Sequence, residues 1–382
     1  MKGAAALLAV SVALSRGLGV AQTADHARPA PSNVRASEYP KIHPDRRVAF
    51  RVRAPNAKQV AVAGRAGDSG MNGNKPYEMK RGQDGVWEVT TDPVRPGFHY
   101  YELIIDGTRQ ADPSSETYYG WNQPTSGLEV PDESLDFYSA KDVPHGDLRI
   151  RWYLSKVTGK VRRAYVYTPP GYDGPTTRYP VLYLQHGAGE NETSWTWQGK
   201  ANLIMDNLIA ERKARPMIVV MDQGYAVKVG AAAETGARGN EAFEEVVVRD
   251  LVPMIDSTFR TLADRRNRAI AGLSMGGGQA LRIGFGNLDR FASIGVFSGA
   301  TRGFEVNSAP KKPIDLLWIG CGAEDRLFEG AQSLHQSLEA AGVKHVWFEG
   351  AGSHEWQVWR KHLHAFAPLL FREQRNQTGS RR

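Results

Sequence analysis

The sequence has very little cysteine: Cys321 is its single thiol among 382 residues. One cysteine cannot form a disulfide within the chain, and it cannot supply the thiolate clusters of a zinc or iron–sulfur site. The histidines show no H-E-x-x-H arrangement, and His362 and His364 stand two positions apart, on diverging faces of a helix. The sequence therefore predicts no metal site and no disulfide framework.

Nucleotide-binding glycine motifs and long apolar runs are also missing. The glycines near Ser274 form neither a P-loop nor a G-x-G-x-x-G, so we expect no cofactor. No run beyond the N-terminus approaches the roughly 20 apolar residues that span a bilayer. The net charge of +7 comes from 48 basic and 41 acidic residues that are mostly interspersed, as on a solvated surface. These features argue against nucleic acid and, after N-terminal cleavage, against a membrane as partners.

The N-terminus has the pattern of an export signal. Lys2 precedes an apolar run from Ala4 to Leu14, and the small residues Gly19-Val20-Ala21 follow. A positive start, a short apolar core and a small-residue cleavage site are typical of a secretory signal peptide. We expect a signal peptide over 1–21, a flexible leader over 22–37, and a secreted (periplasmic or extracellular) mature protein.

Two changes in the residue pattern divide the rest of the chain. Short β-rich segments such as VAFRVRAP, QVAVAG, GVWEVTT and HYYELIIDG, separated by turn residues, predict a β-sandwich domain over 38–130. A charged, proline-containing connector follows over 131–150. Over 151–372, apolar strands such as YPVLYLQHG and MIVVMDQG alternate with amphipathic helical segments, which predicts an α/β domain with a mostly parallel sheet buried on both faces. Residues 373–382 read as a basic tail.

The strongest chemical signal is the G-x-S-x-G motif centred on Ser274. It follows the predicted strand NRAIA and opens the helix-like segment GGGQALRIGF. In a strand–turn–helix elbow the turn is tight, so the residues beside the serine must be small and its Oγ stands clear of the sheet edge. This context predicts that Ser274 is a nucleophile.

A serine nucleophile needs a base, and the base needs an orienting carboxylate. In α/β-hydrolases these follow the serine in the order acid, then histidine. Asp325 comes just after the strand DLLWIGCG, and His354 comes just after the strand KHVWFEG. We therefore predict Asp325 as the acid and His354 as the base, with Glu324 as the rival acid. The other downstream histidines read as surface or helix-packing residues: His335, His345, His362 and His364.

The oxyanion donors are expected to be two backbone N–H groups. One belongs to Met275, the residue after the nucleophile, and the second to Ala188, in the glycine-rich loop that follows the strand VLYLQ. His186 begins that loop; we expect it to brace the loop by hydrogen bonding and to lie near the substrate rather than to transfer protons.

Aromatic residues cluster near these loops. Trp195 follows the oxyanion loop and Trp356 follows His354, so both are candidates for holding an acyl group or a sugar, with core packing as the alternative. Trp87 alternates like a buried strand residue and reads as core. Three aromatic residues in one loop of the sandwich form a candidate carbohydrate platform: Tyr118, Tyr119 and Trp121.

Four segments together resemble carbohydrate esterase family 1, the esterase-D-like group of feruloyl and acetylxylan esterases: YPVLYLQHGAGENETSW, ANLIMDNLIAERKARPMIVVMDQGYA, AGLSMGGGQAL and GSHEWQVWRKHLHAFAPLLF. The resemblance implies an α/β-hydrolase fold, with the family's nucleophile, acid and base on Ser274, Asp325 and His354. Its oxyanion donors fall on Ala188 and Met275. One departure is Gln223, where the family often has asparagine, and it is expected to alter the acyl pocket.

The N-terminal segments VAFRVRAPNAKQVAVAG, GVWEV and FHYYELIIDG look like the early-set immunoglobulin-like domains of carbohydrate-binding module family 48. The pairing implies a serine esterase acting on plant cell-wall polysaccharide esters, with ferulate release from arabinoxylan favoured and acetylxylan deacetylation as the alternative. A siderophore esterase, an acyltransferase and a non-catalytic glycan-binding protein are more distant interpretations. The residues leave open whether the sandwich binds glycan or only packs on the enzyme, and they leave the oligomeric state open.

Overall fold

A computed structural model describes residues 26–65, 69–72, 75–174, 176–231, 240–306, 310 and 312–372. The predicted signal peptide, the first residues of the predicted leader and the basic tail lie outside these ranges. Within them, no helix has both the length and the apolar character needed to cross a bilayer.

The N-terminal part is built from short antiparallel strands. Its strands are β1 (Arg28–Pro29), β2 (Lys41–Ile42), β3 (Val48–Arg53), β4 (Val60–Gly64), β5 (Tyr77–Glu78), β6 (Lys80–Arg81), β7 (Val86–Thr90), β8 (Gly97–Ile105), β9 (Thr108–Gln110), β10 (Thr117–Gly120) and β11 (Gln123–Val130). In the described residues they form one sheet in the order β1-β2-β3-β7-β6 and another in the order β10-β11-β8-β4-β5, with β9 on β8. Short 3₁₀ turns occur at Ser69–Met71 and Gln83–Gly85.

Side chains alternate between the two faces of each strand, and the inward-facing side chains of the two sheets form one core. Phe50 and Trp87 from the first sheet meet Tyr101 and Leu103 from the second, and all four are buried. Trp87 is therefore a core residue, as its alternation predicts. On β8, the period of two points Tyr101 into the sandwich and leaves Tyr100 on the opposite face.

The prediction of a flexible leader over 22–37 is wrong from Arg28 onward. Residues 28–29 form β1 and pair with β2, and Ala30 and Ser32 are buried. Val34 N–H also donates to the carbonyl oxygen of Ser114. The polar, proline-containing composition predicted flexibility, but strand pairing and burial of the small side chains fix this segment against the sandwich.

The second part is an α/β domain. Its strands are β12 (Asp147–Ser155), β13 (Lys160–Thr168), β14 (Val181–Gln185), β15 (Ile218–Asp222), β16 (Arg268–Leu273), β17 (Ser293–Phe297), β18 (Leu316–Gly322) and β19 (Val346–Gly350). Its helices are α1 (Ser194–Trp197), α2 (Ala201–Ala210), α3 (Asn240–Glu245), α4 (Val252–Thr258), α5 (Met275–Gly286), α6 (Phe328–Ala340) and α7 (Trp356–Phe366), with 3₁₀ turns at Arg265–Asn267 and Ala367–Leu369. Strand β12 begins inside the predicted connector.

The sheet order is β12-β13-β15-β14-β16-β17-β18-β19, and every pairing from β15 to β19 is parallel. Both faces are buried, which explains the continuous apolar strands. On β14, Tyr183 joins the core under α4 and α5, whereas Leu182 and Leu184 join the core under α2 and α7. The mostly parallel α/β sheet with a preceding all-β sandwich matches the predicted fold class.

Pro253 lies inside a helical run without breaking it. A π-helical segment, Val246–Leu251, separates α3 from α4, and the proline falls in the first turn of α4. The N–H of Val252 donates to the carbonyl oxygen of Val247, five residues back, so the wider π-helical turn lies directly before the residue that lacks an N–H.

The two parts share one hydrophobic core. Phe98, Tyr100 and Tyr118 from the sandwich belong to the same buried cluster as Trp195 and Trp356 of the α/β domain. Phe98 packs edge-on against Tyr118, with ring centroids 4.8 Å apart. The sandwich is therefore packed into the α/β domain rather than joined to it by a linker alone.

A buried ion pair also crosses this boundary. The Arg360 guanidinium on α7 is fully buried and donates two hydrogen bonds to the Glu129 carboxylate on β11, at 2.7 and 2.8 Å. It also donates to the carbonyl oxygen of Gln198. Two-point recognition of this kind fixes orientation as well as distance.

We expect Glu129→Ala to destabilise the protein by about 3–5 kcal/mol, because Arg360 would keep a buried charge without its carboxylate. Glu88→Ala is the control, since it breaks the exposed Arg51–Glu88 pair and should cost about 0–1 kcal/mol. Urea unfolding followed by tryptophan fluorescence measures both variants. Equal losses for the two would contradict a structural role for the buried pair.

Candidate active site

Ser274 occupies the turn between β16 and α5. Its backbone has φ 52° and ψ −115°, outside the regions that residues with a Cβ normally adopt. Its N–H donates to the carbonyl oxygen of Phe297 at 2.9 Å, and its own carbonyl accepts from the N–H of Ala300 at 2.9 Å. These two bonds to the end of β17 hold the strained conformation in place.

The glycines on either side of Ser274 allow this turn to be tight. A Cβ on Gly272 would lie 2.5 Å from the backbone of Gly276, and a Cβ on Gly276 would lie 2.5 Å from the carbonyl oxygen of His186. No side chain fits at either position without moving the backbone. The G-x-S-x-G spacing therefore follows from the close approach of α5 to β14 and β16.

Three predicted residues meet at this edge of the sheet. His354 Nε2 lies 2.9 Å from Ser274 Oγ, and His354 Nδ1 lies 2.8 and 3.0 Å from the two carboxylate oxygens of Asp325. Ser274 follows β16, Asp325 follows β18 and His354 follows β19, so parallel strands bring all three to one edge.

The Asp325 carboxylate orients the imidazole. Burial by itself would raise the pKa of Asp325, but hydrogen bonds from His354 and from the N–H of Leu327 leave that pKa below its usual value. The carboxylate is therefore ionised and accepts a hydrogen bond from the protonated Nδ1. This leaves Nε2 without a proton, so it can accept a hydrogen bond from the Ser274 hydroxyl.

The rival residues lie elsewhere. His335 Nδ1 lies 2.7 Å from His345 Nε2, and His335 stacks on Trp347. His364 packs against Phe137. His362 is buried in the core, and this burial lowers its pKa to about 3. Glu324 is half exposed and pairs with Arg95.

The loop after β14, which we call the oxyanion loop (Gly187–Glu190), borders the same site. Ala188 lines the cavity beside Ser274. Met275 begins α5, where the backbone N–H has no intrahelical partner. Both predicted N–H donors therefore belong to segments that adjoin the serine.

His186 and Gln223 are not among the residues that line the cavity, which argues against the predicted substrate contact, whereas the hydrogen bonds of His186 agree with the prediction that it braces the loop. His186 is buried; its Nδ1 lies 2.8 Å from the carbonyl oxygen of Gly187, and its Nε2 accepts from the N–H of Gly224 at 2.8 Å. Desolvation lowers the pKa of His186, so the ring is neutral. The Gln223 amide lies 3.0 Å from Nε2. Both residues brace the start of the oxyanion loop from behind.

Trp195 is a core residue, which agrees with the core-packing alternative rather than with a role in substrate binding. Its side chain is 1% exposed, and its Nε1–H donates to the carbonyl oxygen of Gln185 at 2.8 Å. It packs edge-on against Trp356, at 5.3 Å between ring centroids. The short helix α1 turns Trp195 inward and leaves Trp197 at the surface. Trp356 lines the cavity, and its contact with substrate stays a prediction.

The cavity that contains Ser274 has a volume of about 530 Å³ and draws its walls from both parts of the chain. The sandwich contributes four lining residues: Phe98, Tyr100, Trp121 and Asn122. The α/β domain contributes Gly187, Ala188, Gly189, Glu190, Leu273, Ser274, Arg326, His354, Glu355, Trp356 and Trp359.

The sandwich aromatic residues do not form the predicted platform. Tyr118 is buried at the domain boundary, whereas Trp121 is 44% exposed and stands at the cavity, with a φ of 57°. The sequence reasoning missed Tyr100 and Glu190. Tyr100 carried a weak signal, because large apolar or aromatic residues fall on both faces of β8 and the second face therefore needed a packing partner. Glu190 carried no signal beyond its place after the glycine-rich loop.

Comparisons with known proteins agree with this architecture. A family model described as "Putative esterase" matches residues 155–370, and a model described as "Carbohydrate-binding module 48 (Isoamylase N-terminal domain)" matches residues 38–119. The chain is 42% identical over 353 residues to an endo-1,4-beta-xylanase/feruloyl esterase of Xylanibacter ruminicola. That match covers 90% of this chain and 47% of the relative, so the chain spans about half of the relative's length.

Two solved structures are also similar. A CE1 ferulic acid esterase from Anaeromyces mucronatus, in complex with ferulic acid, is 27% identical with a TM-score of 0.58, over 63% of this chain and 96% of that chain. The enterobactin esterase of Shigella flexneri shares the fold at 18% identity and a TM-score of 0.63, over 84% of this chain and 92% of that chain. The protein belongs to the putative esterase family, and a carbohydrate-binding-module-48-like sandwich precedes its α/β-hydrolase domain.

Proposed function

We propose that the protein is a serine esterase that releases ferulate from plant cell-wall polysaccharides such as arabinoxylan. The observation that carries the proposal is the hydrogen-bonded series Ser274–His354–Asp325 at the wall of an aromatic-rich cavity. Similarity to a xylanase/feruloyl esterase and to a ferulic acid esterase structure supports the choice of acyl group. The predicted signal peptide lies outside the described residues, so secretion remains a prediction.

In this mechanism, Ser274 Oγ attacks the ester carbonyl while His354 Nε2 takes the hydroxyl proton. The backbone N–H groups of Ala188 and Met275 stabilise the negative charge that develops on the carbonyl oxygen. When the tetrahedral intermediate collapses, His354 returns the proton to the departing sugar oxygen, which leaves an acyl group on Ser274. Water activated by His354 then hydrolyses this acyl-enzyme, releasing the carboxylic acid and restoring the serine.

The cavity wall favours a flat acyl group over acetyl. Phe98, Tyr100, Trp121, Trp356 and Trp359 line it, and aromatic faces and edges hold a phenolic ring by offset or edge-to-face contact. An acetyl group is too small to use these contacts. The exposure of Trp121 at the rim leaves a ring face available to the substrate.

Ser274→Ala should lower kcat by roughly 10⁴–10⁶-fold with little change in folding, because the nucleophile is lost while the rest of the site remains. Hydrolysis of methyl ferulate and of 4-nitrophenyl acetate measures the loss, and circular dichroism checks the fold. A variant that kept a tenth of wild-type activity would contradict the proposed nucleophile. If the protein cleaved only the acetate, in a serine-dependent way, the esterase assignment would stand and the proposed substrate would become acetylated xylan.

Asp325→Asn should lower kcat by about 10⁴-fold, since the amide no longer selects the imidazole tautomer that can accept the serine proton. Glu324→Gln is the matched control, because its side chain faces Arg95 at the surface, and it should retain activity within about three-fold. Steady-state kinetics on methyl ferulate compares the two. A larger loss in the Glu324 variant would make Glu324, rather than Asp325, the orienting acid.

Trp121→Ala should raise KM for methyl ferulate by about ten-fold, which corresponds to the loss of an aromatic contact worth about 1.4 kcal/mol. The same variant should cleave 4-nitrophenyl acetate with a KM within two-fold of the wild type, because the acetyl group is too small to reach Trp121. An unchanged KM for methyl ferulate would remove Trp121 from the acyl pocket.

A further inference from the structure

The oxyanion loop is held from the sandwich side as well as from its own domain. The N–H of Asn122, in the sandwich, donates to the carbonyl oxygen of Gly189 at 2.8 Å. Gly189 has a φ of +80°, and a Cβ there would lie 3.0 Å from the Cα of Trp121. The backbone of the sandwich therefore lies directly against the loop that carries Ala188, the proposed oxyanion donor.

Glu190 makes the second connection. Its side chain is buried, and its Oε2 accepts a hydrogen bond from the N–H of Gly187 at 3.0 Å. Its Oε1 accepts from the hydroxyl of Tyr100 at 2.9 Å and from the indole N–H of Trp356 at 3.1 Å. One carboxylate thus joins the oxyanion loop, the sandwich and the helix that begins beside His354.

The direction of these bonds follows from the other partners of Tyr100. Its oxygen accepts from the Gln198 amide at 2.8 Å and from the Trp356 indole at 3.2 Å, so its own proton points to Glu190. The two carboxylate oxygens of Glu190 therefore face three donors. An ionised carboxylate accepts all three, whereas a protonated one would direct a hydroxyl at a group that is itself a donor.

We propose that Glu190 is a positioning residue that uses the docked sandwich, through Tyr100, to hold the oxyanion loop in its working geometry. The proposal deepens the esterase function above and rests on it. Its consequence is that the sandwich takes part in transition-state stabilisation, because donors in an oxyanion hole are effective only when they are fixed before the charge develops.

The first test compares Tyr100→Phe with Tyr101→Phe. Both changes delete one buried tyrosine hydroxyl from adjacent residues of β8, but Tyr101 donates to Asp112 inside the sandwich and does not contact the loop. We expect Tyr100→Phe to lower kcat on 4-nitrophenyl acetate by about ten-fold or more and Tyr101→Phe to lower it by less than two-fold. The small acyl group avoids the aromatic pocket, so the comparison reports on the loop rather than on ring binding.

Inhibition by phenylboronic acid gives an independent readout. The Ser274 oxygen adds to boron while its proton passes to His354 Nε2, which gives a tetrahedral anion that uses the oxyanion donors; ferulate, a product, forms no such adduct. Tyr100→Phe should raise the inhibition constant for the boronic acid in parallel with the fall in kcat and leave product inhibition within about two-fold. A loss confined to KM, or equal effects of Tyr100→Phe and Tyr101→Phe, would overturn the proposal.

The second test uses pH. Burial raises the pKa of Glu190 to about 7, so the wild-type carboxylate gains its accepting form as pH rises through neutrality. Glu190→Gln is neutral at every pH. We therefore expect the wild-type kcat to exceed that of the variant about ten-fold at pH 8.5 and by less than three-fold at pH 5.5.

The other groups around Glu190 do not disturb this ratio. Tyr100 from β8 and Tyr225 from the segment after β15 face it, and desolvation raises the pKa of both, so they stay protonated. Arg326, His354 and Glu355 line the same cavity and are present in both proteins. A ratio that does not change with pH would refute the role of Glu190, whereas a Ser274→Ala protein that keeps a tenth or more of wild-type activity would refute the serine-esterase proposal on which it rests.

Discussion

The strained turn at Ser274 is the constraint on which the rest of the site depends. A residue with a side chain is held at a φ of 52° because its N–H and carbonyl are bonded to the end of β17, and because glycines on both sides let α5 approach β14. Such a conformation persists only where surrounding contacts over-determine it. The buried parallel sheet supplies those contacts, and it brings the ends of β18 and β19 to the same edge as the serine.

The second constraint is the shared core of the two domains. Tyr100, Phe98 and Tyr118 fill space against Trp356 and its neighbours, and Arg360 forms a two-point ion pair with Glu129 across the boundary. Burial of large aromatic side chains supplies most of the attraction, and the ion pair fixes the orientation. This arrangement makes the sandwich a wall of the substrate cavity, which gives it a role that does not require glycan binding by its own surface.

Prediction from the sequence succeeded where local rules dominate. The G-x-S-x-G elbow, the strand-end positions of Asp325 and His354, and the apolar strands of a sheet buried on both faces all follow from short segments of chain. It failed where packing decides. Trp195 was open between substrate contact and core packing, and α1 turns it into the core, whereas Gln223, expected at the acyl pocket, lies against His186 behind the oxyanion loop. Residues 28–32 looked flexible, but they pair with and pack on the sandwich.

The sequence by itself therefore determined the α/β and all-β parts, their order and the three residues Ser274, Asp325 and His354 that meet at one edge of the sheet, because periodicity and turn chemistry are local properties. Only the tertiary structure decided that Tyr100, Trp121 and Glu190 belong to the same site. Tyr100 and Trp121 are far from Ser274 in the chain, and each would satisfy its local pattern equally well on a free surface. Their role comes from the docking of one domain on the other, which depends on the complementarity of two complete folded surfaces.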